Sequence, residues 1–493
     1  LQRLVLQKNQ IGDIGALELA KNSTWVYLQD LILSQNQIEH KGAEALGKNT
    51  SWINLQVLAL NENKIGDRGA AGIAANKTWS VLQELYLQKN NIGDKGAINI
   101  GRNLSWRHMK ILGLCENNIG DQGVIELASN ISWVHLRELW LYKNQIGDRG
   151  AIALGSNKAW RHLRKLIIWG NEMSDRALAV MTSNKYWFKL ETLDINQSKA
   201  SEECATSIGT NEALSGLTKL VLWKNAINDV GGTKLVSNTL WTSLQVLDLS
   251  QNPLGEDVGV LIGNNTVWTN LQELHLNQTS IGDKGTVSIG KNTIWTNLQK
   301  LSLNENGITD EGAIAIGDNK SWINLQELWL KKNEIGPEGA KTIGENKTWE
   351  HLQKLGLNTN KIGDEGAIAI GTNTTWLNLE ELWLNSNEIG NSGAVALGSS
   401  NAWKNLKKLG LNENKIGDEG AAAIGGNTLW SNLQELWMYR NEIEDTGLAA
   451  ITENRTWVKL TSLVIWGNKF TKKGVSGLEK NPMFKKNATT IDV

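Results

Sequence analysis

The sequence repeats itself every 27 residues, and no other property limits its folding as much. A stretch of that length cannot bury its own apolar face, so repeats that recur without interruption must stack on one another and share a continuous core. Leu352, Leu379, Leu406 and Leu433 fix the register, which runs back to Leu1 and forward to Leu460 unbroken. Eighteen repeats therefore cover residues 1–486, the last (460–486) degenerate, and residues 487–493 remain as a C-terminal tail. A length of 493 residues, enough for about three globular domains on length alone, reads instead as one array.

A typical repeat, Leu379 to Asn405, runs LEELWLNSNEIGNSGAVALGSSNAWKN. Its opening L-x-x-L-x-L-x-x-N sets Leu382 and Leu384 against Glu381 and Trp383, the period of two that marks a short strand with one buried face. Asn387 follows where the chain leaves the strand. Asparagine holds that phase in every repeat but two, which carry Ser198 and Thr279, and its amide suits the backbone groups of a turn. Next comes a helix start such as IGDEGAIAIG, Ile362 to Gly371. Asp364 is placed to cap it, Ile362 and Ile370 to face the core, and Gly366 and Ala367 to allow close helix packing. Asn373 is expected to end that helix in the left-handed conformation, and Trp376 to return the chain to the next strand.

Sixteen of the 18 repeats carry tryptophan in the Trp376 phase, and Leu214 and Phe484 fill the other two. A bulky aromatic at one fixed phase is what a stacked core needs, each contributing about 2–3 kcal/mol on burial. This row reads as core filler rather than as a functional surface. In the last repeat Phe470 and Phe484 replace the usual Ile and Trp, and Lys472, Lys473, Lys480, Lys485 and Lys486 make its flank polar, as an end cap requires. No matching N-terminal cap is visible, and a start at Leu1 inside a motif reads as a fragment of a longer protein.

The L-x-x-L-x-L-x-x-N-x-I-G-D-x-G-A pattern runs through essentially the whole chain and resembles the ribonuclease-inhibitor-like class of leucine-rich repeats. The resemblance implies an α/β solenoid, a horseshoe with a parallel β-sheet on its concave face and short helices on its convex face. It also implies a scaffold of the kind found in ribonuclease inhibitor, Ran GTPase-activating protein and the sensor regions of nucleotide-binding immune receptors. The repeat is slightly shorter than that class's and carries Trp where a leucine usually returns the chain, so no particular partner carries over. The G-x-N-x-x-W repeats also look like arrays of amoeba-associated bacteria.

Composition and motifs remove several function classes. Net charge is −1 with both signs mixed throughout, which gives nucleic acid no electrostatic footprint. No apolar run reaches the roughly 18 residues of a membrane span. Cys115 and Cys204 lie in different phases, give no disulfide framework and lean towards a reducing, cytoplasmic setting. N-x-S/T sites at Asn22, Asn49, Asn76, Asn319, Asn346, Asn373 and Asn454 would be glycan acceptors on secretion, yet their common phase also reads as repeat template. There is no P-loop, and glycine-rich segments such as 417–426 recur in every repeat. His108, His135 and His162 share one phase of successive repeats and His351 shares it alone; a surface row fits them better than a metal site. No catalytic signature and no cofactor site emerge.

Information for a partner should lie where repeats differ and point outward, on the strand residues between the leucines. Trp140, Trp329, Trp383 and Trp437 sit between the two strand leucines, Leu436 and Met438 in the last case. Tyr142, Trp169, Trp223, Tyr439 and Trp466 follow further along. Clustered exposed aromatics are typical of binding hot spots, with Lys143, Lys224, Lys331, Lys332 and Arg440 beside them as charged contacts. A packing role competes: Glu327, Lys354, Glu381, Lys408 and Glu435 alternate in charge, and tryptophan alternates with Gly356 and Gly410, so each ring could lie over a neighbouring glycine. The expected function is protein recognition on the concave face by a non-catalytic scaffold, the sensor or targeting part of a longer protein. Carbohydrate binding on the tryptophans is the alternative, and a structural spacer the third reading.

Overall fold

Strands form where leucine alternates with other residues, and helices where the I-G-D start is followed by small and aliphatic side chains. The computed structural model describes residues 1–472, 474, 475 and 490–492, in two compact units, Leu1–Leu244 and Gln245–Val493. Among the described residues of the first unit, nine three-residue strands from Arg3–Val5 to Lys219–Val221 lie parallel in chain order. Each pairs with the next at equal phase: Arg3 faces Asp30, Leu4 faces Leu31 and Val5 faces Ile32. The second unit repeats this from Val246–Asp248 to Ser462–Val464. It adds Thr490–Asp492, which pairs with Ser462–Val464 from within the segment read as a tail. Helices of eight or nine residues alternate with the strands, as Asp13–Ala20 and Asp445–Glu453 illustrate. Where Leu214 stands in for tryptophan, a 3-10 turn, Glu212–Leu214, takes up the return. Of the expected C-terminal cap, Phe470 is half-buried and Lys472 exposed; Lys473, Lys480, Phe484, Lys485 and Lys486 lie outside the described residues. Among the described residues no helix is long and apolar enough to cross a membrane.

The core is a set of columns. Leu379, Leu382, Leu384, Ile389 and Leu397 have no accessible surface, and neither have their phase-mates in neighbouring repeats. The returning tryptophans from Trp52 to Trp457 are fully buried, and adjacent rings stack, as do Trp52 and Trp79 at 6.5 Å and 11°. Their indole N–H groups have no acceptor. An unpaired buried donor costs about 1–3 kcal/mol, so tryptophan is there for its volume, and Leu214 can take its place. Glycine lets the helices touch: a Cβ on Gly366 would come within 2.6 Å of the Ala340 Cβ.

Two polar ladders differ from the sequence expectation. Asp364 does not cap its own helix. Its Oδ1 accepts from the N–H groups of Gly390 and Gly393, at 2.7 and 2.9 Å, and so caps the helix of the following repeat. Asn373 is not left-handed either. It is buried, its Oδ1 accepts from Thr375 and Trp376 N–H, and its Nδ2 donates to the carbonyls of Gly344 and Asn346 in the preceding repeat. The asparagines of the N-x-S/T sites at 49, 76, 319, 346 and 454 make the same two Nδ2 bonds, so the nitrogen that would carry a glycan there is buried and twice bonded, whereas Asn22, in the first repeat, is half-buried and its Oδ1 accepts from Thr24 and Trp25 N–H. Asn387 behaves as expected of a turn ladder, its Nδ2 donating to Leu357 O at 2.9 Å across the repeat boundary.

Candidate partner-binding face

The strand phase decides what reaches the open side of each sheet. Because leucines occupy the inward positions, residues between and after them stand outward in columns, one per repeat. All nine aromatics expected at a binding face lie there, and all nine are half-buried rather than exposed. That corrects the expectation of exposed tryptophans.

In the first unit the Trp140 ring faces the Tyr86 ring at 5.7 Å across the intervening Gly113. Its Nε1 donates to Glu138 at 3.2 Å, and the Lys165 ammonium lies 5.4 Å from the ring. Tyr142 and Trp169, each two residues past the end of neighbouring strands, stack at 4.8 Å and 7°. Lys143 lies 5.2 Å from the Trp169 ring. Its left-handed backbone (φ 51) swings the side chain across to the next repeat, where Gly170 makes room: a Cβ there would sit 3.3 Å from the Lys143 Cγ. Cys115 adjoins Tyr142, and burial pushes its thiol up to about 11.

The second unit carries the same arrangement. Trp383 and Trp437 meet at 5.0 Å and 59° across Gly410. Tyr439 and Trp466 stack at 4.6 Å and 8°, with the Arg440 guanidinium 4.9 Å from the Trp466 ring and Gly467 leaving it space. Counted in repeats, each residue stands eleven after its counterpart: Trp383 after Tyr86, Trp437 after Trp140, Tyr439 after Tyr142, Trp466 after Trp169, Arg440 after Lys143. Trp223 stands apart from both arrays, and Trp329 continues the Trp383 column two repeats earlier, with Gly356 between them. Trp223 has Lys224 at 5.8 Å, and Trp329 donates to Glu327 at 3.1 Å and lies against Gly356.

Tyr86 was missed in the sequence although it shares the Trp140 column, because a lone tyrosine two repeats earlier draws no notice until Gly113 brings the rings together. The charge alternation also forms. Lys300 lies 3.5 Å from Glu273 and 3.9 Å from Glu327, Lys354 3.5 and 3.8 Å from Glu327 and Glu381, and Lys408 3.1 Å from Glu435. The hydrogen bond from His275 holds Glu273 down at about 2, against the opposing effect of burial. Aromatic columns and a charge ladder thus lie on the same side of the sheet.

The leucine-rich-repeat family model matches twelve stretches, 1–20, 26–47, 53–74, 80–101, 107–128, 134–155, 269–290, 296–317, 323–344, 350–371, 377–398 and 404–425. The chain belongs to the leucine-rich-repeat family. No curated protein sequence matches it closely. Among solved structures it is similar to a leucine-rich-repeat protein of Leptospira interrogans, at 19% identity and TM-score 0.51 with 100% of each chain covered. It is similar also to a TDR receptor, at 16% identity and TM-score 0.56, over 95% of this chain and 73% of that one. These likenesses concern the fold. In this leucine-rich-repeat chain the aromatic arrays lie on the strand side.

Proposed function

We propose that this leucine-rich-repeat chain is a non-catalytic scaffold that binds a protein partner on the strand side of its solenoid, with the aromatic arrays as anchors. One observation carries the reading: the same five-residue arrangement of stacked rings and a cation is built twice, while the repeats between put Ile167, Asp194, Val221, Asp248, His275 and Ser302 in the Trp140 column before Trp329 resumes it. Rings held rigidly between strands lose little freedom on binding, which is what makes Trp, Tyr and Arg effective anchors. Sugar stacking is less favoured, because Trp169 and Trp466 each have a tyrosine face to face and a cation over the ring.

Affinity capture with the wild type beside Trp383→Ser/Trp437→Ser, both checked for folding by circular dichroism, would isolate the partner, and titration of the purified partner would test it. Tight binding to the wild type with a loss of at least about tenfold in the variant is expected. Competition by simple oligosaccharides, or equal binding by both, would overturn the reading.

A further inference from the structure

Beyond the strand face, the first unit carries a basic edge that the second lacks. In three successive repeats the chain returns to its strand through Arg107-His108-Met109-Lys110, Val134-His135-Leu136-Arg137 and Arg161-His162-Leu163-Arg164. Met109, Leu136 and Leu163 are buried; Arg107, His108, His135, Arg137, Arg161, His162 and Arg164 are exposed. The three histidines form a column, with ring centroids 6.2 and 6.1 Å apart. His162 Nδ1 lies 3.0 Å from Val134 O, the place where Asn378 Nδ2 donates to Glu350 O in the second unit, so the ring's other nitrogen is free to face outward. No group of three or more His, Cys, Asp or Glu able to hold a metal occurs among the described residues.

These cations are poorly matched by acids. Arg164 pairs with Glu191 at 2.8 Å, Lys110 donates to the Gln83 amide and Arg161 lies over Tyr186 at 5.4 Å, whereas Arg107 and Arg137 have no acidic partner among the described residues. Beside them stand aliphatic side chains in water: Ile131 is 74% exposed, Leu104 57% and Val134 43%. At the same phases the second unit has mainly Thr, Asn and Gln, as in Thr269-Asn270-Leu271-Gln272.

We propose that this edge docks an amphipathic, acidic helix of a partner protein. The excess of cations asks for carboxylates, and the aliphatic side chains ask for an apolar stripe next to them. The step of about 6 Å between histidine rings is close to the roughly 5.4 Å rise of a helical turn, over which glutamates at i and i+4 recur. The surface is separate from the aromatic arrays, so its failure would leave the strand-face reading untouched.

The test is fluorescence anisotropy at about 0.15 M salt. The probe is a labelled helical peptide of Leu, Ala and Glu with its glutamates on one face, beside a scrambled peptide of equal composition, a single-stranded DNA and a heparin fragment. The amphipathic peptide is expected to bind at least about tenfold more tightly than the scramble. Arg107→Glu/Arg137→Glu/Arg161→Glu, all exposed positions, should abolish that binding, and Ile131→Ser should weaken it about threefold. Lys404→Glu/Lys459→Glu in the second unit should leave it unchanged. Equal binding by the scramble, the DNA or the heparin fragment, or undiminished binding by the triple variant, would overturn the proposal.

Discussion

The two aromatic arrays share one plan, repeat for repeat, and differ most plainly in one bond. In the first, the Trp140 indole donates to Glu138, which has Lys165 at 3.9 Å. In the second, Lys408 holds Glu435 at 3.1 Å, and the buried Trp437 Nε1 has no acceptor. Yet the Tyr–Trp stacks agree to within a few tenths of an ångström, 4.8 against 4.6 Å. The rings are therefore held by strand phase and by glycine gaps, and the carboxylate bond is an addition that the charge ladder can take away.

The comparison can be broken at several points. The largest effect should come from removing a stack: Tyr142→Ser/Trp169→Ser and Tyr439→Ser/Trp466→Ser should each weaken partner binding by about 2–4 kcal/mol in titration calorimetry. Next are the glycines. At both glycines a Cβ would first meet a side-chain amide, Asn385 at Gly410 and Gln88 at Gly113, but the ring behind it is closer at Gly410, with the Trp383 Cε3 at 2.7 Å, than at Gly113, with the Trp140 Cε3 at 3.3 Å. Gly410→Ala should destabilise by about 1–3 kcal/mol in urea unfolding, and Gly113→Ala by clearly less. Arg440→Met and Lys143→Met should each cost about 0.5–1 kcal/mol. Smallest is Lys408→Met, within about 0.5 kcal/mol, which should release Glu435 to the Trp437 indole and shift that N–H proton in NMR spectra to resemble Trp140's.

Much of this was legible in the sequence because a repeat announces its own phases. The strand leucines, the buried tryptophan column and the placing of the nine aromatics on one side all follow from a period of two inside a period of 27. What the repeat hides is which neighbour a residue serves. Asp364 sits at the start of one helix and caps the next, and Asn373 bonds back to Gly344 and Asn346, because equal phases of adjacent repeats look identical in sequence but only one lies within reach. Half-burial of the rings was legible only as the competing packing role, with each ring over a neighbouring glycine. Whether Trp383 stands in water depends on Gly410 a full repeat away.

The central claim, that a protein partner sits on the aromatic strand face, is tested most directly by hydroxyl-radical footprinting of the chain alone and saturated with its captured partner. The account predicts that oxidation of Tyr142, Trp169, Tyr439 and Trp466 falls several-fold on saturation, while Tyr27, 69% exposed and off the strands, is oxidised as before. Unchanged oxidation of both arrays, with protection appearing elsewhere, would contradict it.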